Sequence, residues 1–315
     1  MDKRMLTAAL STSALLAGGF ATPAQASAPG ADLVRTNLIR TDLIRTGVLL
    51  ASTASTTVAL DPRTGRVLRQ IAAGTDGTVS RQGRVAFARD IDACFPDPAP
   101  DGGGCTGAAD LLTARIDGSG ARTVVHNPEP NGSVSAPDFA PDGRQIVFHW
   151  GVRGERGLAV VDADGTGFRG LVGSASDGTF SPDGSRVAYQ LGGDVHVVDV
   201  ATGDTRTITG GEGLAQPYAP DWSPDGRHIV YAGEHEFFVV PAAGGASVGS
   251  GQWGPQVQRM TAPVFSPDGR RVAFAATDES APDGTSTTRI YQANRDGSGL
   301  TAVAEGNYRL TDWIG

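Results

Sequence analysis

The sequence predicts an all-β chain folded as a ring of six four-stranded sheets, and three observations carry that prediction. A strand–turn–strand unit recurs at nearly one period: Pro141, Pro182, Pro224 and Pro267, each inside the same turn, are 41, 42 and 43 residues apart. Six Gly-rich hairpin signals accompany these units, at 63–65, 117–120, 164–167, 202–204, 243–245 and 296–299. The chain has 44 Gly and 19 Pro in 315 residues and no sustained helical periodicity beyond residue 47, which favours short strands joined by turns. Four-stranded repeats of this length build a β-propeller, because each small sheet must bury both faces against its neighbours.

The unit is clearest at Val264–Phe274. Ser266-Pro267-Asp268-Gly269 suits a type I turn with a left-handed exit at the glycine, and Val272-Ala273-Phe274 alternates as a half-buried strand. Copies stand at Asp138–Gly143, Thr179–Gly184 and Asp221–Gly226, with a worn copy at Ser80–Gly83. Each unit reads strand A, turn, strand B, loop, strand C, hairpin, strand D. The sixth strand A is missing at the beginning of the chain and present at its end, where Leu310–Gly315 matches Pro220–Ser223 and stops. It is therefore expected to join Val48–Ser52, Thr57–Leu60 and Val67–Ile71, so that both chain ends close the first blade.

Residues 1–26 read as a secretory signal peptide: a basic start at Lys3-Arg4, an apolar run to Phe20, and the small-x-small pattern Ala24-Gln25-Ala26. Cleavage near Ala26 gives an exported chain, periplasmic or extracellular, with no transmembrane segment in its mature form. Residues 27–46 form a low-complexity leader. Leu33-Val34-Arg35, Leu38-Ile39-Arg40 and Leu43-Ile44-Arg45 repeat every five residues, a spacing that gives neither a helix nor a strand one apolar side. It reads as a leader lying on the domain or free of it, or as a partner-docking arm. The propeller is assigned to 47–315.

The second unit departs from the pattern between its B and C strands, where residues 88–108 are expected to form a long loop. That loop carries the chain's two cysteines, Cys94 and Cys105, and in an exported chain a disulfide between them is expected.

Residue for residue, Trp222-Ser223-Pro224-Asp225-Gly226 with Ile229-Val230-Tyr231, and the other copies, resemble the WD40-like Pro-Asp repeat of the TolB propeller family. The resemblance covers 47–315 and implies a propeller fold; it is far less specific for function.

The formal charge of −8 is scattered rather than clustered, which argues against a nucleic-acid surface. Gly245-Ala246-Ser247-Val248-Gly249 matches a nucleophile-elbow pattern but sits in a hairpin, and Asp162-Ala163-Asp164-Gly165 lacks the rest of a calcium loop. Both read as turns; no catalytic residue, cofactor or metal is expected. The A–B turns are near-identical, whereas the B–C and D–A connections on the opposite rim differ from blade to blade. Charged and aromatic side chains there make the candidate binding set: His149, Trp150, Arg153, Glu155, Arg156, Tyr218, Glu234, His235 and Glu236. The function expected is a monomeric module that binds an envelope or extracellular protein or glycan. The alternative is a propeller-fold hydrolase or lyase using rim histidines and carboxylates, His149 and His235 among them.

Overall fold

The computed structural model describes residues 47–96, 105–127, 132–152, 154–210, 218–279 and 286–315, with the side chains of 92–96, 105–108 and 255 excepted. The signal peptide, the leader and Arg153 lie outside the described residues. Every described strand belongs to one of six four-stranded antiparallel sheets, and a single 3-10 turn, Gly254–Gln256, is the only described helical element. Counted outward from the axis, blade two is Thr75–Val79, Arg84–Pro96, Cys105–Arg115 and Arg122–Val125. Blade three is Ser133–Phe139, Gln145–Val152, Glu155–Asp162 and Arg169–Gly173. Blade four is Ser176–Phe180, Arg186–Leu191, Asp194–Asp199 and Thr205–Thr207. Blade five is Tyr218–Trp222, His228–Ala232, Phe237–Pro241 and Val248–Gly249; blade six is Gln258–Phe265, Arg271–Asp278, Thr287–Asn294 and Thr301–Glu305.

Blade one joins the two ends of the ring. Arg309–Ile314 pairs with Val48–Ser52, followed outward by Thr57–Leu60 and Val67–Ala72, as the sequence predicts. The Ser-Pro-Asp-Gly turns also take the expected form. In each, the glycine N–H donates to the carbonyl three residues back, and Gly143, Gly184, Gly226 and Gly269 all exit at φ between 68° and 74°. The serine hydroxyl donates to the turn aspartate at 2.6 Å in Ser181–Asp183, Ser223–Asp225 and Ser266–Asp268. The Ser181 hydroxyl, with the Ser185 N–H and hydroxyl, holds the Asp183 carboxyl down at about 2.

Strand alternation sends every second side chain into the space between adjacent blades. Six buried apolar clusters result, one at each blade interface. Between blades five and six, Phe274 is fully buried, with ring centroids of Trp253, Tyr291 and Phe237 at 5.5, 5.8 and 5.9 Å. Phe274→Ala is expected to cost about 3–5 kcal/mol in urea unfolding, and a loss below about 1 kcal/mol would contradict a packed stack.

Two expectations need correction. The residues between strands B and C of blade two are not all loop: the strands run on as a hairpin and pair as far as Pro96 with Cys105. The Pro- and Gly-rich tip concealed this continuation, since such residues read as turn whatever flanks them. The cysteine side chains lie outside the described residues, so the disulfide remains a proposal. Likewise His149 and Trp150 lie within strand B of blade three, which runs to Val152 and turns back at Glu155. Its tight reversal uses Gly154, at φ 88°, a conformation open to glycine at little steric cost.

Candidate functional site: the axial channel and its rim

The innermost strands surround the axis. In each, an aromatic or apolar residue enters the inter-blade core: Val79, Phe139, Phe180, Trp222, Phe265 and Trp313 in blades two, three, four, five, six and one. The preceding residue lies on the other face of the strand, and in every blade that position borders the axial channel. Around the ring these positions read Asp312, Thr78, Asp138, Thr179, Asp221 and Val264, which puts a carboxylate in every second blade.

The three aspartates form the waist of the channel. Asp138 Oδ2 accepts from the Phe180 N–H at 2.7 Å and the Thr179 hydroxyl at 3.3 Å, while Asp221 Oδ2 accepts from the Phe265 N–H at 2.8 Å. Each thereby ties its blade to the next. Asp312 Oδ1 accepts from the Trp313 N–H at 2.7 Å. Removal from bulk water pushes the Asp138 carboxyl up to about 6 and the Asp221 carboxyl up to about 7. Burial also carries Asp312 well above the ordinary carboxylate range, with the charges of Asp138 and Asp221 adding to it.

Two cavities meet at this waist. The one on the turn side is about 250 Å³ and is lipped by Pro141, Pro182, Pro224 and Pro267. The one on the B–C and D–A rim is about 100 Å³. At that mouth five blades repeat one backbone feature: Asp76, Ala136, Asp177, Ala219 and Ala262 hold φ between 44° and 55°. Each sits at a β-bulge two residues before the axial position. Non-glycine residues seldom adopt this conformation, and such outliers gather where a surface must keep a particular shape. Arg309, half exposed, spans the opening from blade one: its guanidinium lies 3.3 Å from Asp76 and 3.7 Å from Asp177, in blades two and four.

The rim residues named from sequence fall into two groups with blade four between them. In blade three, His149 Nδ1 stands 3.5 Å from the Ser135 hydroxyl. Burial holds the His149 imidazole below the ordinary histidine range, opposed by the Asp177 charge and assisted by that of Arg156. Trp150 is half buried, edge-on to Phe168 at 6.1 Å, and Glu155 and Arg156 are exposed. In blade five, Tyr218 opens strand A and is 43% exposed. Glu234, His235 and Glu236 form the B–C turn there. Glu234 lies 3.9 Å from His235 Nε2, Glu236 accepts from the Gly251 N–H at 2.9 Å, and His235 Nδ1 is buried without a hydrogen-bond partner. Among the described residues no three His, Cys, Asp or Glu side chains have metal-holding geometry, and His149 and His235 stand in blades three and five. Ser247, in the elbow-like sequence, accepts a hydrogen bond from the Tyr231 hydroxyl at 2.7 Å, within blade five's C–D connection.

No protein-family model matches the chain. The uncharacterized protein Atu1656 of Agrobacterium fabrum is 30% identical over 140 residues, covering 39% of this chain and 46% of that protein, so the match spans about half the relative's length. Among solved structures, a TolB-type protein from Agrobacterium tumefaciens superposes with a TM-score of 0.58 at 18% identity, over 84% of this chain and 91% of that one. TolB from Acinetobacter baumannii gives 0.62 at 14%, over 86% and 67%. Oligogalacturonate lyase in complex with manganese gives 0.53 at 14%, over 82% and 76%. At these identities the likeness is one of fold, and the fold is a TolB-like six-bladed propeller.

Proposed function

We propose that the chain is an exported TolB-like propeller that binds an envelope or extracellular protein or glycan at its B–C and D–A rim, around the channel mouth. The observation that carries this reading is the mouth itself, where five blades hold the same strained backbone position and Arg309 bridges aspartates of two blades. A rigid scaffold presenting such a mouth, with exposed Glu155, Arg156, Tyr218 and Glu234 around it, offers the mixture of charge and aromatic area from which binding hot spots are drawn. Export rests on the sequence of residues 1–26; no helix among the described residues is long and apolar enough to cross a membrane.

The test is affinity capture from native envelope extracts on immobilised protein. Arg156→Ala combined with Arg309→Ala is expected to reduce the captured set about ten-fold or more. Arg227→Ala combined with Arg270→Ala, on the turn side, leaves it unchanged. Equal capture by all three proteins would remove the rim from consideration.

The alternative, a hydrolase or lyase, draws on the likeness to oligogalacturonate lyase, and His149 beside the Asp177 charge is the pair it would use. Release of unsaturated products from oligogalacturonate, abolished by His149→Ala, would favour it over binding alone.

A further inference from the structure

The turn-side funnel carries an inference independent of the rim. Its lip is apolar, made by the four repeat prolines with Ile314 and Trp313, and its floor is the waist of carboxylates. Arg81 is the one basic side chain among its lining residues, and none of the described ion pairs reaches Asp138, Asp221 or Asp312. An apolar lip over a floor of buried carboxyls suits an occupant that alternates apolar and cationic residues, since a cation brought beside them favours their ionised form.

This chain contains such a segment and delivers it to the funnel. Leu33-Val34-Arg35, Leu38-Ile39-Arg40 and Leu43-Ile44-Arg45 each place an apolar pair beside an arginine. The first described residue, Gly47, packs against Trp313 and Gly315, both part of the funnel wall. The chain before Gly47 therefore leaves the ring at the lip. Arg45 is two residues upstream, within about 7 Å of extended chain, and the earlier repeats reach farther across. The five-residue period, which suits neither a helix nor a strand face, suits a tether in which any of three equivalent units meets the same opening.

We propose that residues 33–46 dock into the turn-side funnel of their own chain, an apolar pair against the proline lip and an arginine toward the carboxylate floor. The leader is then a built-in ligand of the channel, opposite the face assigned to an external partner.

Hydrogen–deuterium exchange on the full exported chain tests this. Relative to the parent, Leu43→Asp with Ile44→Asp, and separately Arg40→Gln with Arg45→Gln, should speed exchange at the turns 181–184, 223–226 and 266–269 by about five-fold or more. Amides of the outer strands should not change, which shows that the ring is intact. A second arm uses no substitution: excess free peptide 33–46 added to the parent competes for the funnel, so the leader's own amides exchange faster while the turns stay protected. Unchanged exchange in both arms overturns the proposal. So does protection that disappears on dilution of the parent, because the leader would then be seated on a second copy.

Discussion

Removing residues 309–315 leaves the ring open, and the truncated chain is expected to lose its cooperative thermal transition. The strand supplies the whole inner edge of blade one, pairing from Val48 with Ile314 to Ser52 with Arg309. It also carries Leu310 and Trp313, 1% and 6% exposed, into the core between blades six and one. The Arg271 guanidinium of blade six lies over the Trp313 ring at 5.7 Å, and the Thr311 hydroxyl donates to the Gly77 carbonyl of blade two at 2.8 Å. Without the strand, both flanking blades expose apolar faces and the edge of Val48–Ser52 is unpaired. Trp313→Ala is the milder version and should cost about 3–5 kcal/mol by denaturant unfolding. A circular permutant joining 315 to 47 and opening within residues 280–285 keeps the strand and should melt cooperatively. If the truncated chain unfolds at the parental temperature, the closure has no energetic role.

The second large effect concerns the carboxylates at the waist, and its sign is opposite to the usual one for acidic residues. Asp138 and Asp221 are raised in the folded state, to about 6 and about 7, from an unfolded value of 3.8. Between those values the folded chain holds more protons than the unfolded one, so unfolding becomes easier as pH rises through that window. Stability is therefore expected to decline from about pH 4 to about pH 7, above which the waist must hold negative charges away from water. Asp221→Asn keeps an oxygen to accept the Phe265 N–H and removes the charge. It should raise stability at pH 8 by on the order of 2–4 kcal/mol, less where channel water screens the site, and flatten the pH profile. Asp183, depressed to about 2, acts in a separate window: its contribution is present above 3.8 and is lost as pH falls toward 2. A parental profile that rises from about pH 4 to about pH 7, or an Asp221→Asn profile that tracks the parent, would refute this account.

The ring was legible because the turn that defines it has a strict backbone requirement. Ser-Pro-Asp-Gly fixes four φ/ψ pairs locally, so its spacing reports blade spacing, and the orphan Leu310–Gly315 reports the closure. Strand ends were less legible. His149 and Trp150 looked like loop because the pattern around them is polar and aromatic, yet pairing with Leu158 and Gly157 holds them in the sheet. The rim candidates were only half assembled by the fold, since position along a strand does not say which blade a residue faces across the mouth. The waist was missed although its signal is present: the residue before each strand-A aromatic reads Asp138, Thr179, Asp221, Val264 and Asp312 in successive units. An aspartate before an aromatic suggests nothing until the ring turns that position toward one axis. The strained positions had no signal at all, because alanines such as Ala136, Ala219 and Ala262 do not advertise a positive φ.

The pairing of the first and last strands also orders events in time. Val48–Ser52 precedes the strands of all the other blades in the sequence, and its inner partner Arg309–Ile314 follows them. Every other blade can assemble from contiguous sequence, but blade one must wait with its inner edge bare. Locking of the ring is thus deferred until Arg309–Ile314 is available, after the sequence of every other blade.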